Sequence, residues 1–206
     1  MMKTTPQEST DNAEPLPEPG RPEAGARSPR RRRRWPVFSA LGLLVALTGY
    51  TVWTNVRPVR LTASIELRAT PDEVWQVLAD FDAYAEWNPF MKQAEVTSDG
   101  GRLEVGARLR NQMSHPSGET TFTPEVLAVD PGRELRWIGR LGPGWLADGE
   151  HRFTIESLGS GQVRFTQSER FSGALTPFLK GQLEGETLPQ FRAMNEALKE
   201  RVRSAG

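Results

Sequence analysis

The chain has 206 residues, with 26 basic and 26 acidic side chains and no cysteine. That length supports one core with appendages, and the missing cysteine excludes disulfides, thiolate nucleophiles and cysteine-based metal sites. The charge is uneven: residues 1–34 carry eight basic and five acidic side chains, residues 35–56 none, and residues 57–206 carry 18 and 21, so the main body is mildly acidic, which argues against a nucleic-acid footprint.

Residues 1–34 are rich in Pro, Glu, Gly and Arg and nearly devoid of large apolar side chains. Such a stretch cannot bury enough surface to offset its ordering entropy and reads as a disordered tail. "WPVFSALGLLVALTGYTVWTNV", Trp35 to Val56, follows with 22 uncharged residues. As a helix it spans roughly 33 Å at ~1.5 Å per residue, matching a bilayer core of ~30 Å. Trp35 at one end and Tyr50 and Trp53 near the other suit the two interfaces. The run Arg30 to Arg34 outweighs Arg57 and Arg60 beyond the segment. This predicts a single-pass anchor in the cell membrane, with a cytoplasmic N-terminus and the main domain outside. A cleaved signal, a twin-Arg signal and a buried core helix compete with that reading. The run is long for a signal, however, and no A-x-A site follows it.

From Val59 the pattern alternates. Val59, Leu61, Ala63, Ile65 and Leu67 share one face of a half-buried strand. "ATPDEVWQVLADF" opens a helix, with Thr70 as cap, Pro71 in the first turn and Glu73 completing a capping box. "YAEWNPFM" follows as a short helix and turn with an unusual apolar load. Strands are then expected at 93–98, 107–114, 120–129, 134–141, 149–158 and 162–172, separated by "SDGG", "HPSG", "DPGR", "GPG" and "LGSGQ". Short connections imply an antiparallel meander. A long helix is expected from Thr176 to about Arg203, its stripe running through Phe178, Leu179, Leu183, Leu188, Phe191, Met194, Leu198 and Val202. Gly181, Gly185 and Pro189 predict a bend or a close approach in its first half.

Three stretches carry a family resemblance. "IELRATPDEVWQVLADFDAYAEWNPFM", "GRELRWIGRLG" and "HRFTIESLGSGQVRFTQSERFSG" resemble the opening, the L-x-W strand and the paired late strands of START-like domains. These are the polyketide cyclase/dehydrase and lipid-transport type of the SRPBCC superfamily. The resemblance spans about residues 59–203. It implies an α+β helix-grip fold: a curved antiparallel sheet of about seven strands around the C-terminal helix, two short helices after the first strand, and a cavity between sheet and helix. The START-like domain would occupy residues 57–206.

Alternation nominates inward side chains. Asn111, Met113 and His115 share a face, as do His151 and Phe153, and Phe165, Gln167 and Glu169; Trp137 is in phase on the middle strand. The polar intruders on these faces are Asn111, His115, His151, Gln167 and Glu169. His151 and Glu169 are the weak catalytic candidates, a buried Glu being suited to acid catalysis; the plainer reading makes His151 a hydrogen-bonded rim residue, Glu169 a structural partner or a residue past the cavity edge, and His115 beside Pro116 a solvated turn residue. Trp87, Phe90 and Met91 either fill the core or edge an opening; the resemblance places them over the cavity entrance, the alternative being that Trp87 anchors the loop into the core, and Trp145 in "RLGPGWLADG" marks a second candidate gate. Phe178 and Gly181 complete the expected cavity lining. No HExxH, GxSxG, phosphate loop or paired CxxC occurs, and two histidines argue against zinc, so no cofactor or metal is expected. The expected partners are a hydrophobic small molecule or lipid and the membrane. The alternatives are a cyclase, dehydratase or hydrolase acting on a hydrophobic substrate, and a protein-interaction module of the same fold.

Overall fold

A computed structural model describes residues 35–98, 100–115 and 118–205. The N-terminal tail lies outside the described residues. Helix α1, Trp35–Val56, covers the whole uncharged segment and exposes nearly all of it. Only Arg57 and Pro58 separate it from strand β1, Val59–Arg68.

β1 buries Leu61, Ala63 and Leu67 on the predicted face. Helix α2, Pro71–Ala79, begins with the expected capping box: the Thr70 hydroxyl accepts from the Glu73 N–H at 3.3 Å, and the Glu73 carboxylate accepts from the Thr70 N–H at 2.7 Å. These bonds, first from the Thr70 backbone and then from its hydroxyl, hold the Glu73 carboxyl below the ordinary carboxylate range. A depressed acid stabilises the fold above its unfolded pKa and loses that contribution as pH falls through its folded value. Thr70→Ala deletes the cap hydroxyl and is expected to cost about 1 kcal/mol, with the pH dependence largely kept because the Thr70 N–H still holds the Glu73 carboxylate, as read by urea unfolding at two pH values.

Helix α3, Tyr84–Trp87, follows α2 and precedes strand β2, Met91–Val96. Tyr84 is fully buried, and its hydroxyl donates to the Leu78 carbonyl at 2.6 Å. Burial first, and Asp80 second, push that phenol well above its usual range. The remaining strands are β3 (Leu109–His115), β4 (Gly118–Phe122), β5 (Glu125–Asp130), β6 (Glu134–Leu141), β7 (Ala147–Gly159) and β8 (Gln162–Ser172).

Instead of one seven-stranded sheet, the described residues form eight strands in two antiparallel sheets, ordered β1-β8-β7-β6-β5 and β2-β3-β4. The expected strand 120–129 breaks at Pro124, which has no N–H for a ladder. Its halves fall in different sheets. The sheets stay stitched by Leu109 N–H to Pro124 carbonyl at 2.9 Å, Val126 N–H to Ala107 carbonyl at 2.8 Å, and an isolated bridge between Arg108 and Glu125.

The C-terminal helix is also interrupted. Helix α4, Thr176–Gln182, runs into a π-helical turn, Leu183–Thr187, and then into helix α5, Leu188–Ala205. Pro189 explains the break: it cannot donate to the Gly185 carbonyl, and its ring crowds that carbonyl. The wider turn absorbs the conflict. An extra residue in the turn also shifts the helical phase by about 100°. The stripe Phe191, Met194, Leu198 and Val202 is buried on α5, whereas Phe178 on α4 is 79% exposed. The expectation that Phe178 lines the interior is thereby corrected. Gly185 lies within the π-helical turn that interrupts the helix, and neither helical glycine marks a close approach. Gly181 and Gly185 both face open space.

Candidate functional site

The inner face of the larger sheet and α5 enclose an aromatic interior. Trp137 on β6 stacks on His151 at 5.3 Å and meets Phe153 edge-on at 5.1 Å; Phe153 stacks on Phe165 at 5.7 Å; Phe191 from α5 meets the His151 ring edge-on at 5.1 Å. Strand register brings these side chains together, because His151 lies between Trp137 and Glu169, and Phe153 between Leu135 and Gln167.

A polar line crosses this interior. His151 Nδ1 lies 3.3 Å from Glu169 Oε2, and Gln167 Nε2 lies 3.1 Å from His151 Nε2 and 3.4 Å from Met194 Sδ. The Glu169 carboxylate faces one ring nitrogen of His151 and the Gln167 amide faces the other. Both imidazole nitrogens are thus engaged. His151 and Gln167 are buried, and the Glu169 side chain is 17% exposed. The arrangement positions polar groups well. It does not leave a free ring nitrogen for proton abstraction. Gln167 Oε1, Asn111 Oδ1 and both polar side-chain atoms of Asn195 are buried without a hydrogen-bond partner, a costly state for polar groups inside a protein. Asn195 escaped the sequence reading, although its place in the series 191, 195, 198, 202 was a usable signal: a polar residue on a buried stripe.

The other candidates separate by location. Asn111 and Met113 belong to the smaller sheet, in register with Ala94 and Met91. His115 ends β3 at the turn to β4. Phe90 and Met91 are buried in the core, and Asn88 ties the turn down by accepting from both their N–H groups at 3.2 and 3.0 Å. The apolar load of "YAEWNPFM" is therefore core packing at Phe90 and Met91, not an edge around an opening. Trp87 is half-buried, meets Tyr84 edge-on at 5.0 Å and borders an outer cleft of about 340 Å³ between α2, α3 and the end of α5. A larger open cleft, about 600 Å³, sits at the β5–β6 turn and the start of α2, lined mainly by polar side chains such as Asp72, Arg133, Glu134 and Arg152. Neither cleft enters the space between sheet and α5.

At the opposite end of the sheet the packing loosens. Register places Val59, Phe171 and Gly149 side by side, one step beyond the Leu61–Glu169–His151 row. An added Cβ on Gly149 would lie 2.6 Å from Glu169 Oε1, so this glycine makes room for the carboxylate. Over this end lie Leu183 and Leu188, packed with Val59, Leu61, Ala63, Phe171 and Phe191. The α4–π segment above them buries only Thr176. Trp145, in the loop between β7 and its partner β6, is 53% exposed. Asp148 lies just after that loop; burial raises its carboxyl above the usual range, partly offset by Arg140.

The outer sheet face carries ion pairs, Arg164 with Glu66 and Glu156, and Arg136 with Glu134 and Glu150. That is a solvated surface of small energetic consequence, and it does not favour the protein-interaction reading.

An antiparallel sheet closing on a C-terminal helix, with two short helices after the first strand, defines the START-like grip class. Solved structures show the same fold. A START superfamily protein from Mycobacterium smegmatis is 23% identical and matches with a TM-score of 0.57, covering 71% of this chain and 99% of that one. The Zhui aromatase/cyclase from Streptomyces sp. R1128 gives 18%, 0.56, 73% and 99%. Norcoclaurine synthase from Thalictrum flavum, solved with dopamine and hydroxybenzaldehyde, gives 17%, 0.56, 75% and 93%. The family model described as polyketide cyclase / dehydrase and lipid transport matches residues 58–203, so the chain belongs to that family. No curated protein matches the sequence. Its START-like domain is a ligand-binding fold, and α1 is long and apolar enough to cross a membrane.

Proposed function

We propose that the protein is a membrane-anchored START-like domain, residues 57–206, that binds a small hydrophobic molecule or lipid in the grip between the larger sheet and the C-terminal helices. The anchor is α1, with the basic N-terminal tail cytoplasmic and the domain on the other side of the cell membrane. The observation that carries this reading is the polar line His151–Gln167–Glu169 set in an aromatic and aliphatic interior, under a helical segment that buries almost nothing. Ligand sites of this type combine apolar walls with a few orienting polar groups.

In this reading the apolar body of the ligand lies among Leu61, Phe171, Leu183, Leu188 and Phe191. Its polar end meets Gln167 Oε1, which has no partner within the protein, and the Glu169 carboxylate, while His151 holds both in place. Access comes from displacement of the α4–π segment, which has little buried surface to lose. The cyclase/dehydratase alternative would use the same His151–Glu169 pair; full engagement of both ring nitrogens favours positioning over proton transfer.

The full chain, purified from membranes and released from detergent in native mass spectrometry, should carry an apolar molecule or take up a pyrene-labelled lipid. Preparations that are always empty and never take up the probe would overturn the reading.

A further inference from the structure

The tether between α1 and the domain is too short to leave their relation open. Two residues, Arg57 and Pro58, connect them, a reach of about 10 Å at most over three residue steps. The junction is also clamped. The Tyr50 hydroxyl donates to the Ala174 carbonyl at 2.8 Å, Arg170 Nη2 donates to the Asn55 carbonyl at 3.4 Å, Arg57 stacks over the Trp53 ring at 5.9 Å, and Thr54 is 1% exposed. Tyr50 lies about 9 Å from the end of α1 at ~1.5 Å per residue. The chain around Ala174 is therefore held alongside the helix, inside its C-terminal end.

Ala174 brings its neighbours to the same level. Its N–H donates to the Trp145 carbonyl at 2.9 Å, and the Leu175 N–H donates to the Leu146 carbonyl at 3.0 Å. Phe178 and Leu179 follow on α4, and Leu141 ends β6 beside Ala147. Leu141, Trp145, Phe178 and Leu179 are all exposed, at 61%, 53%, 79% and 37%. Four large apolar side chains around one clamp form the kind of patch that a water-facing surface avoids. Trp beside aliphatic and Phe side chains is the composition of a membrane interface.

We propose that the loop pair 141–146 and 175–179 is a bilayer-docking surface. Trp145, Phe178, Leu179 and Leu141 enter the interface of the membrane that α1 spans, so the loosely packed end of the grip opens onto lipid. This rests on the membrane-anchored reading of α1. The direction of docking follows from the clamp: the register end that holds Val59, Ser172 and Ala147 faces the bilayer, and the turn holding Ser157 to Gly161 faces away.

The absence of cysteine makes single-cysteine labelling clean. The full chain in phosphatidylcholine/phosphatidylglycerol nanodiscs, with a fluorophore at Val45→Cys, Trp145→Cys, Phe178→Cys or Ser157→Cys, is read for quenching by lipids brominated at defined chain depths. The expected result is deep quenching at 45, shallow but several-fold enhanced quenching at 145 and 178 relative to 157, and none above background at 157. Deep quenching at 45 with 145 and 178 at the level of 157 overturns docking and leaves the anchor standing. No quenching at 45 overturns the anchor and docking together.

Discussion

Replacing Phe153 by Ala is expected to lower the stability of the domain by about 3–5 kcal/mol. Phe153 is 1% exposed, touches Trp137, His151 and Phe165, and sits at the centre of the inner sheet face. Removing its ring deletes the transfer free energy of a buried aromatic and leaves a hole that the β6–β7–β8 ladder cannot close, because backbone pairing pins all three strands. Denaturant unfolding of the detergent-solubilised chain reads the loss. The variant also probes the site: a small aromatic additive should recover part of the stability by refilling the hole, as apolar cavities accept apolar guests. A loss below about 1 kcal/mol would mean that the interior repacks freely and that Trp137, His151 and Phe165 do not hold a fixed shape around Phe153.

Gly173→Ala is expected to cost about 3–5 kcal/mol. Gly173 has φ +119°, and a Cβ built there lies 2.5 Å from the Leu146 carbonyl oxygen and 2.6 Å from its carbon. The strain of that backbone region is about 1–3 kcal/mol for a residue with a side chain. The obstruction is main chain on both sides, so one loop must retreat from the other. Retreat breaks the hydrogen bonds from Ala174 to Trp145 and from Leu175 to Leu146, worth about 1 kcal/mol each, and loosens the Tyr50 contact with α1. Gly181→Ala provides the contrast. Its Cβ would meet nothing within 4 Å, so the exchange should stabilise α4 by up to about 1 kcal/mol. The two thermal midpoints should move in opposite directions; equal shifts would show that the 173–146 approach is not a close one.

The elements that local physics controls were legible in the sequence. α1 matches the uncharged run end to end, Thr70 and Glu73 form the capping box they spell, and β6 and β8 begin and end where alternation and turn residues put them. The polar members of the inner face, His151, Gln167 and Glu169, were also visible as exceptions to alternation. What escaped depends on relations between distant residues. Pro124 stops a ladder, yet only pairing shows that the two halves join different sheets. Gly185 and Pro189 announce a break, but not the phase shift that turns Phe178 outward. The load of "YAEWNPFM" could fill a core or edge an opening. Asn88, by fixing the N–H groups of Phe90 and Met91, puts those two side chains inward, and the loose end of the grip is the other one.

A photoreactive fatty acid, activated on the full chain in nanodiscs and mapped by peptide mass spectrometry, tests the account most directly. It predicts adducts on Leu61, Phe171, Leu183, Leu188 or Phe191, diminished by excess unlabelled lipid. Adducts confined to α1 and the outer surfaces, with the inner strand faces and α5 unmarked at every lipid concentration, would contradict it.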